Sequence, residues 1–138
     1  MDLIDLHVEV PSLKRKEISG TESSETSEAI QERVYKAREI QQKRFEGQGV
    51  NCNAQMTSSQ LRRYCLLDDP SQTLLKNAME KFGLSARAYD RILKAARTIT
   101  DLDTEANVKS SYIAEAVFNT PIWTGAFGGT TWVYLPRA

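Results

Sequence analysis

Apolar residues in the second half of the chain recur at helical spacing. Between residues 83 and 102 the sequence reads GLSARAYDRILKAARTITDL, with hydrophobic side chains three and four positions apart. That spacing gathers them on one face of an α-helix. Ser85 stands where a helix N-cap is expected, so we predict that a helix begins directly after it. The predicted apolar stripe consists of Tyr89, Ile92, Leu93, Ala96, Ile99 and Leu102.

Two earlier segments predict helices by the same reasoning. The first begins after Thr26 or Ser27 as its cap and ends near Gly47. Its inward positions are predicted to be Ile30, Val34, Ala37, Ile40 and Phe45. The second helix is short and begins with a capping-box pattern, in which Thr57 is followed three positions later by Gln60. Its predicted inward residues are Leu61, Tyr64 and Cys65.

Two more helices flank the central stripe. Asp69 and Pro70 supply a cap and a first-turn proline for one helix, and Gly83 supplies its stop. Its predicted apolar positions are Leu74, Leu75, Ala78, Met79 and Phe82. Ser110 or Ser111 opens the last helix, whose inward residues are predicted to be Ile113, Ala116 and Val117. Four or five helices joined by short loops predict a mainly α fold, a small helical bundle.

The two ends of the chain have a different character. Residues 1–11 contain an alternating pattern, with Ile4, Leu6, Val8 and Val10 on one face, which predicts a single β-strand. The charged and Ser/Thr-rich residues 12–26 predict a flexible linker to the helical domain, residues 27–118. The Gly-rich and aromatic residues 119–138 are either a short β-hairpin or a tail that is not native to the domain.

Charge and composition exclude several classes of function. Eighteen basic residues balance eighteen acidic ones, so no global field attracts nucleic acid or an anionic membrane. No apolar run approaches the roughly 20 residues that span a bilayer, and we expect a cytoplasmic protein without membrane contact. Cys52, Cys65 and the single His7 fit neither a zinc pattern nor a disulfide framework. We therefore expect reduced, structural cysteines and no metal site.

Five segments in order resemble one protein family. They are IDLHVEVP at 4–11, ERVYKAREIQQKRF at 32–45, NAQM at 53–56, LRRYCLLD at 61–68, and the block at 83–102 followed by IAEA at 113–116. Together they resemble the C-terminal part of the bacterial Mg-chelatase-like AAA+ ATPases, in the ComM/YifB-like competence helicase group. The resemblance covers about residues 2–117, and the block at 83–102 is its most specific part.

The resemblance implies an architecture. Residues 1–11 would be a late strand of an AAA+ core sheet, and residues 27–118 the helical lid subdomain beside it. The partners would be the AAA+ core domain and neighbouring ring subunits, with nucleic acid reached through the parent protein. ATP and Mg²⁺ would be cofactors of that parent. Where the family has an arginine ahead of the strand, this chain has Leu3, which cannot act as an arginine finger.

The resemblance also implies a phosphate sensor. The family's lid helix opens with Ser-x-Arg, whose arginine touches the γ-phosphate of ATP, and this maps onto Ser85 and Arg87. First-turn amides and the positive helix end favour an anion at that place, and a guanidinium adds bidentate contacts. Arg91 and Lys94 are possible accessory contacts, although a solvated helix face, with Lys94 paired to Asp90, explains them better.

The sequence contains no motif of a catalytic centre. No G-x-x-x-x-G-K loop occurs among the seven glycines, so we predict no catalytic residues and no ATP hydrolysis by this chain alone. Two other functions stay open. Residues 69–102 could form a helix-turn-helix DNA-binding module, and the helices could serve simply as a protein-interaction bundle.

Overall fold

The computed structural model describes residues 25–119, which form five α-helices and one short 3-10 turn. The helices are α1 (Ser27–Phe45), α2 (Ser58–Tyr64), α3 (Asp69–Phe82), α4 (Ala86–Leu102) and α5 (Ser110–Asn119), with the 3-10 turn at Asn53–Gln55. The prediction of a mainly α, small helical bundle is confirmed. The strand predicted within residues 1–11 lies outside the described residues, as does the tail after Asn119, for which a β-hairpin was one of the two predictions.

The starts of the helices follow from their caps. The Thr26 hydroxyl accepts from the amide of Ala29 at 3.3 Å, so Thr26 is the cap of α1. The capping box of α2 is confirmed, because Thr57 and Gln60 each accept a hydrogen bond from the other's amide. At α3 the predicted cap is wrong by one position.

The carboxylate that caps α3 belongs to Asp68, which accepts from the amide of Ser71 at 2.9 Å. Asp69 is already the first helical residue, and Pro70 follows it. A proline in the first turn lacks only an amide that the helix would leave unpaired anyway, so the helix can begin one residue earlier.

Helix α4 forms the centre of the bundle. It packs against α1, α2, α5 and the 3-10 turn, while α3 packs on α5. Its stripe is buried at Ile92, Leu93 and Ala96, as predicted, but Tyr89 at the edge of the bundle is 38% exposed. The remaining buried core residues are Phe45, Met56, Leu61, Cys65, Leu75, Val108, Ile113 and Ala116.

Only the second half of α1 is buried. Ala37 and Phe45 lie in the core, whereas every residue from 27 to 36 is exposed. The prediction that Ile30 and Val34 point inward is therefore wrong, since their exposed fractions are 43% and 44%. The physical reason is that the first half of α1 extends past the helices that cover the second half.

The C-terminal ends of α3 and α4 use the same left-handed turn with different residues. Gly83, with φ 59°, ends α3 as predicted, and the next amide returns to the carbonyl oxygen of Met79 at 3.0 Å. At the end of α4 this role falls to Thr104, with φ 56°. A left-handed residue with a side chain costs about 1 kcal/mol, so the loop after α4 needs other contacts to hold it.

Candidate functional site

Arg87 lies at the exposed start of the central helix. The Ser85 hydroxyl accepts from the amide of Ala88 at 3.3 Å, which confirms Ser85 as the N-cap of α4. Arg87 is the second residue of the helix and its side chain is exposed. Unpaired first-turn amides and the helix dipole give this end a positive potential. The cap, the helix end and the guanidinium therefore form a surface suited to an anion.

The two other predicted cations of α4 are more enclosed than Arg87. Arg91 is half-buried one turn further along the helix. Lys94 is also half-buried, and its Nζ donates to the carbonyl oxygen of Ala54 at 3.0 Å. This hydrogen bond directs the ammonium group of Lys94 to the 3-10 turn. Lys94 thus ties α4 to its neighbour.

A buried cluster of charged and polar groups occupies the other end of α4. It consists of Arg44, Asn53, Arg97 and Asp101, none of which is among the site residues predicted from the sequence. The Asp101 side chain is fully buried, and those of Arg44 and Arg97 are 9% and 7% exposed. The Arg44 guanidinium donates to both carboxylate oxygens of Asp101, at 2.7 Å and 2.5 Å.

Asp101 is saturated with donors. Arg97 reaches its Oδ1 through Nε at 3.1 Å and Nη2 at 2.9 Å, and the Asn53 amide reaches Oδ2 at 2.7 Å. With the two bonds from Arg44, the carboxylate accepts five hydrogen bonds. No lone pair of Asp101 remains open for a ligand. The contacts of the cluster therefore stabilise the fold.

The cluster holds its carboxylate in the charged form. Burial by itself would raise the pKa of Asp101. The hydrogen bonds from Arg44 and Asn53 and the charges of Arg44 and Arg97 outweigh burial, and the pKa of Asp101 is lowered. Two guanidinium groups around one carboxylate still leave one excess positive charge, so the remaining Arg97 donors need acceptors of their own.

Those acceptors come from the loop after α4. Arg97 Nη1 donates to the carbonyl oxygen of Ala106 at 2.8 Å, and Nη2 to that of Glu105 at 3.4 Å. These contacts fix the loop in which Thr104 adopts its left-handed conformation. The cluster therefore clamps α1, the 3-10 turn, α4 and the loop to one another.

The sequence held a partial signal for this cluster. Arg44, Asn53 and the pair Arg97 and Asp101 come from three of the five segments that resemble the family. Arg97 and Asp101 are also four residues apart, on the flank of the apolar stripe of α4. Neither observation alone distinguishes a buried pair from a solvated one.

Both cysteines lie in the part of the chain that the structure describes. Both are free thiols, with Cys52 half-buried and Cys65 buried. Burial raises the pKa of Cys65 to about 11, and its Sγ donates to the carbonyl oxygen of Leu93 at 3.7 Å.

Within residues 25–119, no group of His, Cys, Asp and Glu side chains could hold a metal ion. In the same range, no helix is long and apolar enough to cross a membrane.

Comparisons with known proteins identify the family. The family model described as magnesium chelatase, subunit ChlI C-terminal, matches residues 24–118. Competence protein ComM of Haemophilus influenzae is 41% identical over 85% of this chain, and uncharacterized protein YifB of Escherichia coli is 35% identical over 85%. Uncharacterized protein Rv2897c of Mycobacterium tuberculosis is 30% identical over 74% of the chain.

The chain spans only about a fifth of the length of these relatives, 22% of ComM and YifB and 20% of Rv2897c. The family match, in contrast, covers most of this chain and includes both ends of α4. The protein therefore belongs to the magnesium chelatase ChlI C-terminal family, in its ComM/YifB-like part.

Proposed function

We propose that this domain is the nucleotide-sensing lid of a ComM-like AAA+ ATPase. Arg87 would contact the γ-phosphate of an ATP held by the core domain of the parent protein. The observation that carries this proposal is the exposed guanidinium in the first turn of α4, beside the cap formed by Ser85. Arg87 has both the charge and the position that a phosphate contact needs.

The way α4 is held supports a sensing role. Its second half is fixed by the apolar residues around Ile92 and by the cluster around Asp101. A displacement of Arg87 would therefore move the bundle as one body. A ligand shifts a conformation only through different contacts in the two states, and the γ-phosphate is the group that distinguishes ATP from ADP.

The described residues fit the phosphate end of ATP and not the metal. Exposed Arg87 suits a phosphate oxygen, whereas no side-chain group within residues 25–119 suits Mg²⁺. The metal and the rest of the nucleotide would be held by the core domain. Neighbouring ring subunits would receive the lid's movement, and nucleic acid would be moved by the assembled parent.

The helix-turn-helix alternative fits the structure less well. The C-terminal half of α4 packs against other helices and the 3-10 turn, and its buried residues are Ile92, Leu93, Ala96, Arg97, Thr100 and Asp101. Only the first turns of α4 are open enough to approach a groove. The zero net charge of the chain also counts against DNA binding by the domain alone.

The test uses the full-length ATPase that contains this domain. Arg87→Ala should lower ATP turnover about ten- to hundredfold, because one charge-assisted phosphate contact is worth about 1.5–3 kcal/mol. Arg38→Ala, at an exposed position of α1, is the matched control and should leave turnover unchanged. Unchanged turnover and nucleotide affinity in Arg87→Ala would refute the proposal.

A separate measurement tests the DNA-binding alternative. Duplex DNA is titrated with the chain at about 50 and 200 mM salt, since phosphate contacts produce a steep loss of affinity over this range. Binding with that steep salt dependence would favour the helix-turn-helix function. Absence of binding at the lower salt concentration would remove it.

A further inference from the structure

We propose that a cavity beside α2 binds the phosphate group of a phosphate ester, with Arg63 as the main contact. The cavity has a volume of about 310 Å³ and lies between α2 and the loop after α1. It is a second anion site, and it does not depend on the sensing role of Arg87. The residues that line it are Gln48, Val50, Thr57, Ser59, Gln60 and Arg63.

The size and lining of the cavity favour a small polar ligand. Ligand sites in proteins have volumes of about 300–1,000 Å³, so this cavity lies at the lower end of that range. Sites for apolar ligands are lined mainly by hydrophobic and aromatic side chains. Here Val50 is the one apolar lining residue, and the other five are polar or charged.

The charge around the cavity selects an anion. Between residues 47 and 67 the sequence contains no Asp or Glu, whereas it contains Arg62 and Arg63. In a chain with zero net charge, this stretch is therefore locally basic. The lining residues include one guanidinium and no carboxylate. A metal cation prefers oxygen ligands with negative charge, so the cavity suits the opposite kind of ligand.

Arg63 is available for an anion. Its side chain is exposed, and among the described residues no ion pair involves it. Its guanidinium lies over the Tyr64 ring, 5.3 Å from the ring centroid. That contact uses the face of the guanidinium and leaves its N–H donors, which lie in its plane, for an acceptor.

The walls of the cavity are held together by hydrogen bonds. The Gln48 Nε2 donates to the Tyr64 hydroxyl and to the carbonyl oxygen of Arg44, both at 2.8 Å. The Gln60 Nε2 donates to the Gln48 Oε1 at 3.2 Å. The loop after α1 is thus fixed to α2 without a ligand, which lowers the entropy cost of binding one. The amides of Thr57 and Gln60 are bound within the capping box, so the site consists of side chains.

The donors that line the cavity match a phosphate better than a carboxylate. Besides Arg63 they are the Ser59 hydroxyl and the second amide proton of the Gln60 side chain, since only one of its two protons is needed for Gln48. A phosphate ester offers three strong acceptor oxygens, whereas a carboxylate offers two. Three donor groups around one cavity therefore fit the phosphate.

An NMR titration of the full isotope-labelled chain with adenosine monophosphate tests the proposal. Amide signals of residues 48–50 and 57–63 should shift up to about 10 mM ligand, which nearly saturates a millimolar site. Arg63→Ala should weaken this binding about tenfold or more, because a charge-assisted contact is lost. The matched control is Arg62→Ala, which removes an exposed neighbouring charge outside the cavity and should leave the affinity unchanged. Equal losses in the two variants, or no shifts in these residues, would overturn the proposal.

Further titrations identify the group and its source. Adenosine, which has no phosphate, and acetate at equal ionic strength should produce no shifts in these residues, and an equal response to either would overturn the phosphate assignment. A thymidylate oligonucleotide that binds about tenfold more tightly than adenosine monophosphate would identify a nucleic-acid strand as the source, whereas equal affinity would identify a free phosphate ester.

A variant at the other anion site keeps the two proposals separable. In Arg87→Ala the shifts of residues 48–50 and 57–63 should persist, because Arg87 lies outside the cavity. Their disappearance in that variant would overturn the second site. Normal or impaired ATP turnover in the full-length ATPase would not alter this result.

Discussion

The two ends of α4 carry arginines of opposite character. Arg87 at its start is exposed, whereas the side chain of Arg97, ten positions later, is only 7% exposed. What separates them is the set of elements that converges on each end. The C-terminal half meets α1, the 3-10 turn and the loop after α4 through the Arg44, Asn53, Arg97 and Asp101 cluster. The start of α4 instead has its cap Ser85 and Arg87 exposed.

The buried end of α4 anchors the helix in the bundle, whereas the exposed end is open to contact from outside the bundle. A buried charge is stable only when it is paired and hydrogen-bonded, so the groups around Asp101 must keep one geometry. An exposed charge has no such requirement and can meet a ligand without disturbing the core. One helix thus combines a fixed end with an accessible one, as the proposed sensing role requires.

The largest expected effect comes from removing the charge at the buried end. Asp101→Asn should lower the free energy of unfolding by about 3–5 kcal/mol, because two buried guanidinium groups lose their counter-charge. Urea unfolding followed by circular dichroism at 222 nm measures this change. Glu39→Gln on the surface of α1 is the control and should stay within about 0.5 kcal/mol of the parent chain. A loss below about 1 kcal/mol in Asp101→Asn would show that the cluster is not an anchor.

A smaller loss of stability is expected when the pH is lowered. The pKa of Asp101 is lower in the folded chain than the value near 3.9 of an unfolded aspartate. Its contribution to stability is therefore fully present above about pH 4 and is lost as the pH falls through the folded-state pKa. Urea midpoints measured between about pH 7 and pH 2.5 should fall more steeply for the parent chain than for Asp101→Asn. Parallel curves would contradict the assigned pKa direction.

The smallest change in the free energy of unfolding is expected at the exposed end of α4. Arg87→Ala should change the free energy of unfolding by less than about 0.5 kcal/mol, since its side chain lies in solvent. The same urea experiment measures it. A destabilisation above about 1 kcal/mol would mean that Arg87 contributes to the fold and would remove the contrast between the two ends.

The caps and the apolar spacing made most of the fold predictable. Thr57 with Gln60, Ser85 and Gly83 act locally, so three or four neighbouring residues contain the information that places each helix end. The single error of this kind, at Asp69, was a shift of one residue between two adjacent aspartates. The exposed start of α4 was predictable for the same local reason.

The buried cluster was not predictable in this way. Arg44 and Asn53 are remote in sequence from Asp101, and charged residues on a helix are usually solvated. These charges are enclosed only because α1, the 3-10 turn and α4 pack together in the folded chain. The exposure of Ile30 is the opposite case, because an apolar position shows only that a cover would be favourable, not whether a cover is present.

The Arg44 and Asp101 contact also has a consequence for the smallest fragment that can fold. These residues lie 57 positions apart, so the contact joins the first described helix to the end of the fourth. A fragment that starts at α2 would retain Arg97 and Asp101 but lose the donors that bridge to α1. A fragment that stops before Asp101 would leave Arg44 without its counter-charge. The autonomous folding unit therefore has to contain the whole interval between them, whatever sequence precedes or follows it.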